Sequence, residues 1–187
     1  DHRICFVGRL TPYKGAELLV KAVHLLHNKY PNLKVEIVGD GEEKENLIGL
    51  CEKLNIIHII NFHGHLPLQE VENIYKKSSI FCFPTLTEAS GNSLLEAMSY
   101  SLPIVTINNG GPKFMCPDEG TFKVDIDTPE KMIKSMSNSI DVLLKDKDLR
   151  IKMGEANRTH CIKNYDWSII EHKVLEYFQN KISKLDD

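Results

Sequence analysis

The chain has 187 residues, enough for one domain with a substantial buried core. Hydrophobic residues make up 42% of it and charged residues 26%, which is ordinary for a globular domain. Its 23 Lys and Arg are outnumbered by 26 Asp and Glu, giving a net charge of −3. Proteins that bind nucleic acid phosphates normally carry a basic excess, so this balance argues against nucleic acid as the main partner.

The five cysteines are odd in number, widely spaced and without a C-x-x-C pair. This is untypical of a disulfide framework or a structural zinc site, and we interpret them as reduced packing residues of a cytoplasmic protein. No apolar run approaches the roughly 20 residues that a membrane-spanning helix needs, and no signal peptide is recognised. We therefore expect membrane contact only peripherally, at the cytoplasmic membrane face, in the full-length protein.

Short apolar runs alternate with longer stretches of helical period along the first part of the chain. The predicted strands cover residues 4–7, 34–38, 58–62, 80–83 and 103–107. The predicted helices between them cover residues 16–29, 43–54, 68–77 and 93–101. Strands separated by helices of this length indicate βαβ units, which predict an α/β fold with a Rossmann-like, doubly wound parallel sheet flanked by helices.

The pattern changes after residue 107. A Gly- and Pro-rich turn at 108–112 leads to a short strand at 121–124, and Thr128-Pro129 then provides an N-cap with proline at the first helical position. Further helices are predicted at residues 147–163 and 167–184. Residues 1–187 are thus expected to form a single domain, with a core at about 3–125 and a helical C-terminal tail at about 128–184.

Ligands of an open parallel sheet bind at the carboxyl ends of its strands, which directs attention to the loops that follow them. The loop after the first strand contains Gly8, which allows a tight turn, and the cations Arg9 and Lys14. Two cations beside the amides of a helix start favour a phosphate or diphosphate. The alternative is that both cations are solvated surface residues.

Two further loops carry weaker signals. Gly39-Asp40-Gly41 follows a strand but lacks the third glycine of a dinucleotide fingerprint, so a tight turn explains it as well as a ligand contact does. His63 and His65 are two residues apart, but no acidic residue or cysteine lies nearby in sequence to complete a metal site. We therefore predict no metal, and no Ser-His-Asp or Cys-His arrangement indicates covalent catalysis.

The loop after the fourth strand carries the strongest signal. Glu88 falls just after the strand and Glu96 lies about one turn into the next helix, with Gly91-Asn92-Ser93 between them. Carboxylates accept hydrogen bonds from sugar and ribose hydroxyls, and free backbone amides suit a phosphate. The segment could therefore bind a sugar, a ribose and the phosphates between them. Two glutamates at this spacing also arise by chance, and Glu96 could simply face solvent.

Together these loops resemble the C-terminal domain of family 4 (group 1) glycosyltransferases, which have the two-domain GT-B fold. The resemblance lies in a G-R-L…K-G pattern at residues 8–15, a V-G-x-G pattern at 38–41, and an E-x7-E segment with its following E-A-M and P-I-V residues at 88–105. All three have the family's order and spacing, and the match covers residues 3 to about 180.

The resemblance implies a role for each matching position. Arg9 and Lys14 would neutralise the donor diphosphate, and Glu88 would hold hydroxyls of the transferred sugar, so these three are the expected catalytic residues. Glu96 would bind the ribose, and the backbone around Leu66 the nucleobase. The donor-binding residues that it implies are Gly8, Leu66, Gly91, Asn92, Ser93, Leu94 and Glu96.

The family resemblance also implies a retaining hexosyltransferase that needs neither a metal nor a cofactor. The donor would be a UDP- or GDP-sugar, and the acceptor a glycan or a lipid-linked sugar in polysaccharide or lipopolysaccharide synthesis. Two positions depart from the pattern: Ser101 replaces a glycine at a helix end, and Phe114 replaces a frequent glutamate. The loop before Phe114 therefore has a doubtful role toward the sugar.

The family's N-terminal domain, which supplies the acceptor site, is missing from this chain, so we expect the fragment to bind its donor and to transfer little. Two alternatives stay open. One is a GT-B-type nucleotide-sugar epimerase or a glycan phosphorylase, whose additional acid-base residues or cofactor lysine we do not find. The other is a non-catalytic nucleotide-sugar-binding module, which Glu88→Ala with wild-type activity would favour.

Overall fold

The computed structural model describes residues 2–182. They form a parallel sheet of six strands in the order β3-β2-β1-β4-β5-β6, with helices on both faces. The strands are β1 (Arg3–Val7), β2 (Lys34–Val38), β3 (Ile60–Gly64), β4 (Ile80–Phe83), β5 (Ile104–Ile107) and β6 (Thr121–Val124). The prediction of a doubly wound α/β fold is confirmed.

The helices connect the strands and then extend beyond the sheet. They are α1 (Ala16–His24), α2 (Lys44–Lys53), α3 (Leu68–Lys77), α4 (Asn92–Ser99), α5 (Gly110–Met115), α6 (Pro129–Lys145), α7 (Lys147–Tyr165) and α8 (Trp167–Ile182). The last two residues of the helix predicted at 167–184 lie outside the described residues.

The centre of the sheet is fully buried. Every residue of β4 and β5 is buried, because helices cover both faces of a parallel sheet and its inner strands are therefore apolar throughout. From β1 the chain winds outward to β2 and β3, and it then crosses back to place β4 on the other side of β1. A sheet of this order has a crevice at the carboxyl ends of the two strands where the winding reverses. Here those strands are β1 and β4.

The prediction of a strand at 58–62 was wrong by two residues. Residues Ile57–Ile59 form a turn of 3-10 helix, and β3 begins at Ile60. Ile56 and Ile59 are both buried, and a spacing of three places them on the same side of a 3-10 turn. In an apolar run without alternation, the strand pattern alone could not locate this change of structure.

Two other predictions were wrong at helix ends. The turn predicted at 108–112 continues into the short helix α5, which accepts Pro112 because a helix tolerates proline in its first turn. The first helix, predicted at 16–29, ends at His24, and residues 25–29 form turns. Leu26 still packs into the core from these turns, which explains why its spacing resembled a continuing helix.

The C-terminal helices pack on the second half of the sheet. Helix α6 lies against α1 and β5, and α7 lies against α4. The side-chain amide of Asn157 in α7 is fully buried and donates to the carbonyls of Leu102 at 2.8 Å and Gly120 at 2.7 Å. Ser101, where the family pattern has glycine, has a left-handed φ of +56° just after α4. None of the helices within residues 2–182 has the length and apolar character to cross a membrane.

Candidate functional site

The loops that follow β1 and β4 pack directly against each other at the carboxyl edge of the sheet. A 3-10 turn at Pro12–Lys14 ends at Gly15, which has a left-handed φ of +68°. A Cβ atom on Gly15 would collide with the carbonyl oxygen of Pro84, so glycine is required for this approach. The amide of Leu86 donates to the carbonyl of Tyr13 at 2.8 Å. The two loops therefore share one side of the crevice.

This packing brings together two of the predicted catalytic residues. Lys14 and Glu88, which are 74 residues apart in sequence, form an ion pair between Nζ and Oε2. Their side chains are only 12% and 15% exposed, and the Lys14 ammonium lies 5.4 Å from the centre of the Phe83 ring. The pair thus holds opposite charges largely out of water, next to the start of α4.

Arg9 lies farther out on the same loop. Its guanidinium donates to the hydroxyl of Tyr13 and lies 5.9 Å from the centre of that ring. Arg9 is exposed, and together with Leu66 it lines the neighbouring part of the crevice. It is therefore free to turn its charge toward a ligand, whereas Lys14 is held by its partner.

The N-terminus of α4 supplies backbone donors beside the Lys14–Glu88 pair. Gly91 is the N-cap, and the amides of Asn92 and Ser93 lie in the first turn, where helical acceptors are missing. The amide of Leu94 donates to the carbonyl of Gly91 at 2.9 Å, and the Leu94 side chain is fully buried. Of the donor-binding residues predicted here, Leu94 supports the turn, while Asn92 and Ser93 line the crevice.

Glu96 reaches the same crevice from the next turn of α4. One of its carboxylate oxygens, Oε2, accepts a hydrogen bond of 2.9 Å from the hydroxyl of Tyr75 in α3. Burial, reinforced by the negative charge of Glu96, raises the pKa of Tyr75 far above its usual value, so the hydroxyl remains a donor. The sequence contained no sign of this partner, because Tyr75 belongs to the apolar face of α3.

Two adjoining cavities make up the crevice. One of about 330 Å³ is lined by Val7, Gly8, Lys14, Phe83, Glu88, Ser90, Gly91, Asn92, Ser93 and Glu96. The other, of about 250 Å³, is lined by Val7, Gly8, Arg9, Val38, Gly39, His65, Leu66 and Val71. They share Val7 and Gly8 at the end of β1. The first cavity carries Lys14, Glu88 and Glu96, and the second has a largely apolar wall beside Arg9.

Helix α5 supports the backbone of Glu88. The amide of Gly111 donates to the carbonyl of Glu88 at 2.6 Å, and a Cβ atom on Gly110, with its φ of +54°, would lie 2.5 Å from the same oxygen. Asn109 donates to the carbonyl of Leu86 at 2.9 Å. The segment predicted to be a turn thus fixes the backbone of Glu88, whereas Phe114 at its far end is 79% exposed.

The weaker sequence motifs have structural explanations that involve no ligand. Asp40 accepts from the Gly41 amide at 2.8 Å and pairs with Lys44 at 3.0 Å, so the glycine-rich loop is a turn capped by its own aspartate. His63 Nε2 lies 2.7 Å from an oxygen of the buried Glu36. Within residues 2–182 no group of three or more His, Cys, Asp or Glu side chains could hold a metal ion, and the five cysteines are free thiols.

Comparison with known proteins gives a consistent result. The family model described as "Glycosyl transferases group 1" matches residues 1–160. An uncharacterized glycosyltransferase of Haemophilus influenzae is 35% identical over 92% of this chain and 46% of its own length. A D-inositol 3-phosphate glycosyltransferase of Corynebacterium jeikeium is 31% identical over 92% of this chain and 43% of its own. The chain therefore spans about half the length of these relatives.

Solved structures share the fold. The Anabaena protein HepE, crystallised with UDP, superposes with a TM-score of 0.85 at 17% identity, covering 96% of this chain and 49% of HepE. The C-terminal domain of the group 1 glycosyl transferase LpcC from Francisella tularensis has a TM-score of 0.79 at 20% identity, covering 89% of this chain and 87% of that domain. At these identities the likeness concerns the fold alone.

Proposed function

The chain belongs to the group 1 glycosyl transferases, as the C-terminal domain of such a protein, and we propose that its crevice binds the nucleotide sugar that donates a hexose. In this proposal the donor is a UDP- or GDP-sugar and the product retains the donor's configuration. A glycan or lipid-linked acceptor binds to an N-terminal domain. Free thiols suit a reducing compartment, so we place the reaction in the cytoplasm, with membrane contact confined to the periphery of the full-length protein.

The position of the Lys14–Glu88 pair at the N-terminus of α4 carries this proposal. A donor diphosphate needs cations and hydrogen-bond donors that converge on its oxygens. Lys14 and the amides of Asn92 and Ser93 lie around one cavity, and Arg9 lines the adjoining one. These groups supply positive charge without requiring a metal or another cofactor.

The other parts of the donor would bind in different cavities. Glu88 and Glu96 line the first cavity, and their carboxylates are suited to accept hydrogen bonds from the sugar and ribose hydroxyls, respectively. The apolar wall at Val38 and Leu66 in the second cavity suits the flat face of a nucleobase. The diphosphate would then lie between them, over Gly8.

The chemistry that we propose follows from this placement. The bond between the sugar's anomeric carbon and the diphosphate oxygen breaks, and the acceptor oxygen bonds to that carbon on the same face. The acceptor's proton passes to the departing diphosphate. Arg9 and Lys14 stabilise the negative charge that develops on the leaving group, and the mechanism needs no nucleophilic side chain.

Calorimetry with the purified chain tests the proposal. We expect binding of UDP or GDP. We also expect Arg9→Ala and Lys14→Ala to weaken it roughly 10- to 100-fold, because a charge-assisted hydrogen bond contributes about 1.5–3 kcal/mol. Affinity for the uncharged nucleoside should stay the same. Lys21→Ala is the control, since Lys21 pairs with Glu17 on the surface of α1. Failure to bind any nucleoside diphosphate, or unchanged affinity in both variants, would overturn the proposal.

A further inference from the structure

The hydrogen bond between Tyr75 and Glu96 connects the crevice to the core behind it. Glu96 lines the first cavity, whereas Tyr75, on the neighbouring helix α3, is 1% exposed. The hydroxyl donates to Oε2 of Glu96 at 2.9 Å, and among residues 2–182 no hydrogen-bond donor lies on the other oxygen, Oε1. One oxygen of the carboxylate is thus anchored, and the other is available to a ligand.

Aromatic packing fixes the direction of the Tyr75 hydroxyl. The ring stacks on Tyr100 with centroids 5.5 Å apart and an interplanar angle of 17°, and it meets Phe81 edge-on at 5.9 Å. Side chains of a helix lean toward its N-terminus, which for α3 lies at the carboxyl edge of the sheet. The phenol therefore points from the core toward the crevice.

From this geometry we infer that Tyr75 is a positioning residue, whose hydroxyl orients the Glu96 carboxylate toward the ribose hydroxyls of the donor. The inference rests on the proposed function, in which Glu96 binds the ribose. Glu96 is only half-buried, so without this anchor its side chain could adopt several rotamers, and each hydrogen bond to a ribose would then cost more entropy. Tyr75 thereby contributes to discrimination between ribose and deoxyribose without touching the ligand.

The replacement Tyr75→Phe removes one oxygen atom and keeps the ring in its packing site. The test compares calorimetric affinities for UDP and 2′-deoxy-UDP, and for the GDP pair if guanine binds more tightly. We expect the wild-type chain to prefer the ribonucleotide about 10-fold, the value of roughly one hydrogen bond. In Tyr75→Phe this preference should fall to about 3-fold or less, through weaker binding of the ribonucleotide alone.

Tyr100→Phe is the matched control, because it removes a hydroxyl from the stacked neighbour and leaves the donor to Glu96 intact. It should keep the wild-type preference. An unchanged preference in Tyr75→Phe would overturn the inference while the proposed function stands. Equal losses for both nucleotides would also overturn it, since they indicate a general effect on the fold. A wild-type chain that binds neither UDP nor GDP would overturn the proposed function and this inference with it.

Discussion

In the proposed function Lys14 contacts two anions. In the structure its ammonium pairs with Glu88, and in the donor complex it would also contact the diphosphate. The side chains of Lys14 and Glu88 are mostly removed from water, and charges interact more strongly there than at the exposed surface. Glu88 therefore has opposing effects: it weakens the pull of Lys14 on the diphosphate, and it offers an acceptor to the sugar.

Replacing Glu88 with glutamine separates these two effects. We expect Glu88→Gln to bind UDP as tightly as the wild type or up to about 3-fold more tightly, because Lys14 loses its competing partner. Binding of the UDP-sugar should weaken roughly 10-fold, since a neutral amide is a poorer acceptor for sugar hydroxyls. Paired titrations with UDP and UDP-sugar measure both values.

The control for Glu88→Gln is Glu17→Gln, which removes a carboxylate from a surface pair on α1. It should leave both affinities unchanged. If a two-domain protein carrying Glu88→Gln transferred sugar at the wild-type rate, Glu88 would have no catalytic part.

The position of single residues at the candidate site was predictable where their chemistry stood out after a strand. Arg9, Lys14 and Glu88 follow β1 or β4, and the carboxyl ends of those strands meet at the crevice. Tyr75 was not predictable, because its spacing of four from Val71 marks a packed helix face whether or not its hydroxyl has a partner. The pairing of Lys14 with Glu88 required the fold, since it joins residues 74 positions apart.

At the scale of elements, a polar ladder crosses three adjacent strands. Glu36 in β2 is buried and accepts hydrogen bonds from Arg3 in β1 and from Asn61 in β3, at 3.0 Å in the second case. His63 Nε2 lies 2.7 Å from the same carboxylate. Burial acts to raise the pKa of Glu36, but the hydrogen bonds from His63 and Asn61 and the charge of Arg3 outweigh it and hold the pKa below its usual value.

We expect this ladder to make the stability of the fold sensitive to acid. Because the pKa of Glu36 is lower in the folded protein than in the unfolded chain, ionised Glu36 stabilises the fold above the unfolded-state pKa of about 4.3. That stability is lost as the pH falls through the folded-state pKa. Glu36→Gln should lower the free energy of unfolding by about 1–3 kcal/mol at pH 7 and flatten its decline between about pH 5 and 3.

Urea unfolding followed by circular dichroism across this pH range measures the effect. Glu17→Gln is the control, because Glu17 is exposed and pairs with Lys21 on the surface of α1, where an ion pair contributes little to stability. Its free energy of unfolding should fall toward low pH as steeply as that of the wild type. If the free energy of unfolding fell equally steeply with pH in Glu36→Gln and in the wild type, Glu36 would have no part in the acid response.

Most elements were predictable from their periodicity, and the failures have a common cause. The 3-10 turn at Ile57–Ile59 and the helix α5 are both segments too short for a periodic pattern to show. Gly110 and Gly111 resembled a turn in sequence because glycine disfavours helices. Their lack of side chains instead allows α5 to approach the backbone of Glu88 and Ala89. Local propensity could not anticipate a packing requirement between two loops.

At the scale of the molecule, the proposed function divides the protein between this chain, which would bind the donor, and an N-terminal domain, which would bind the acceptor. Lys14, Glu88 and Glu96 lie at one edge of the sheet, and this chain accounts for only 46% and 43% of the length of its two relatives. Helix α8 extends beyond the sheet and exposes large apolar side chains, including Trp167 at 83% exposure and Phe178 at 59%.

We therefore predict that the isolated chain keeps donor binding but loses most of the sugar transfer. The isolated chain should bind the donor nucleotide within about 3-fold of the two-domain protein, because the groups proposed to contact the diphosphate belong to this chain. Its rate of sugar transfer should be at least about 100-fold lower, since the acceptor is neither bound nor oriented. Calorimetry and a transfer assay with both proteins measure the two quantities. Transfer by the isolated chain at the two-domain rate would show that the acceptor site also lies within these residues.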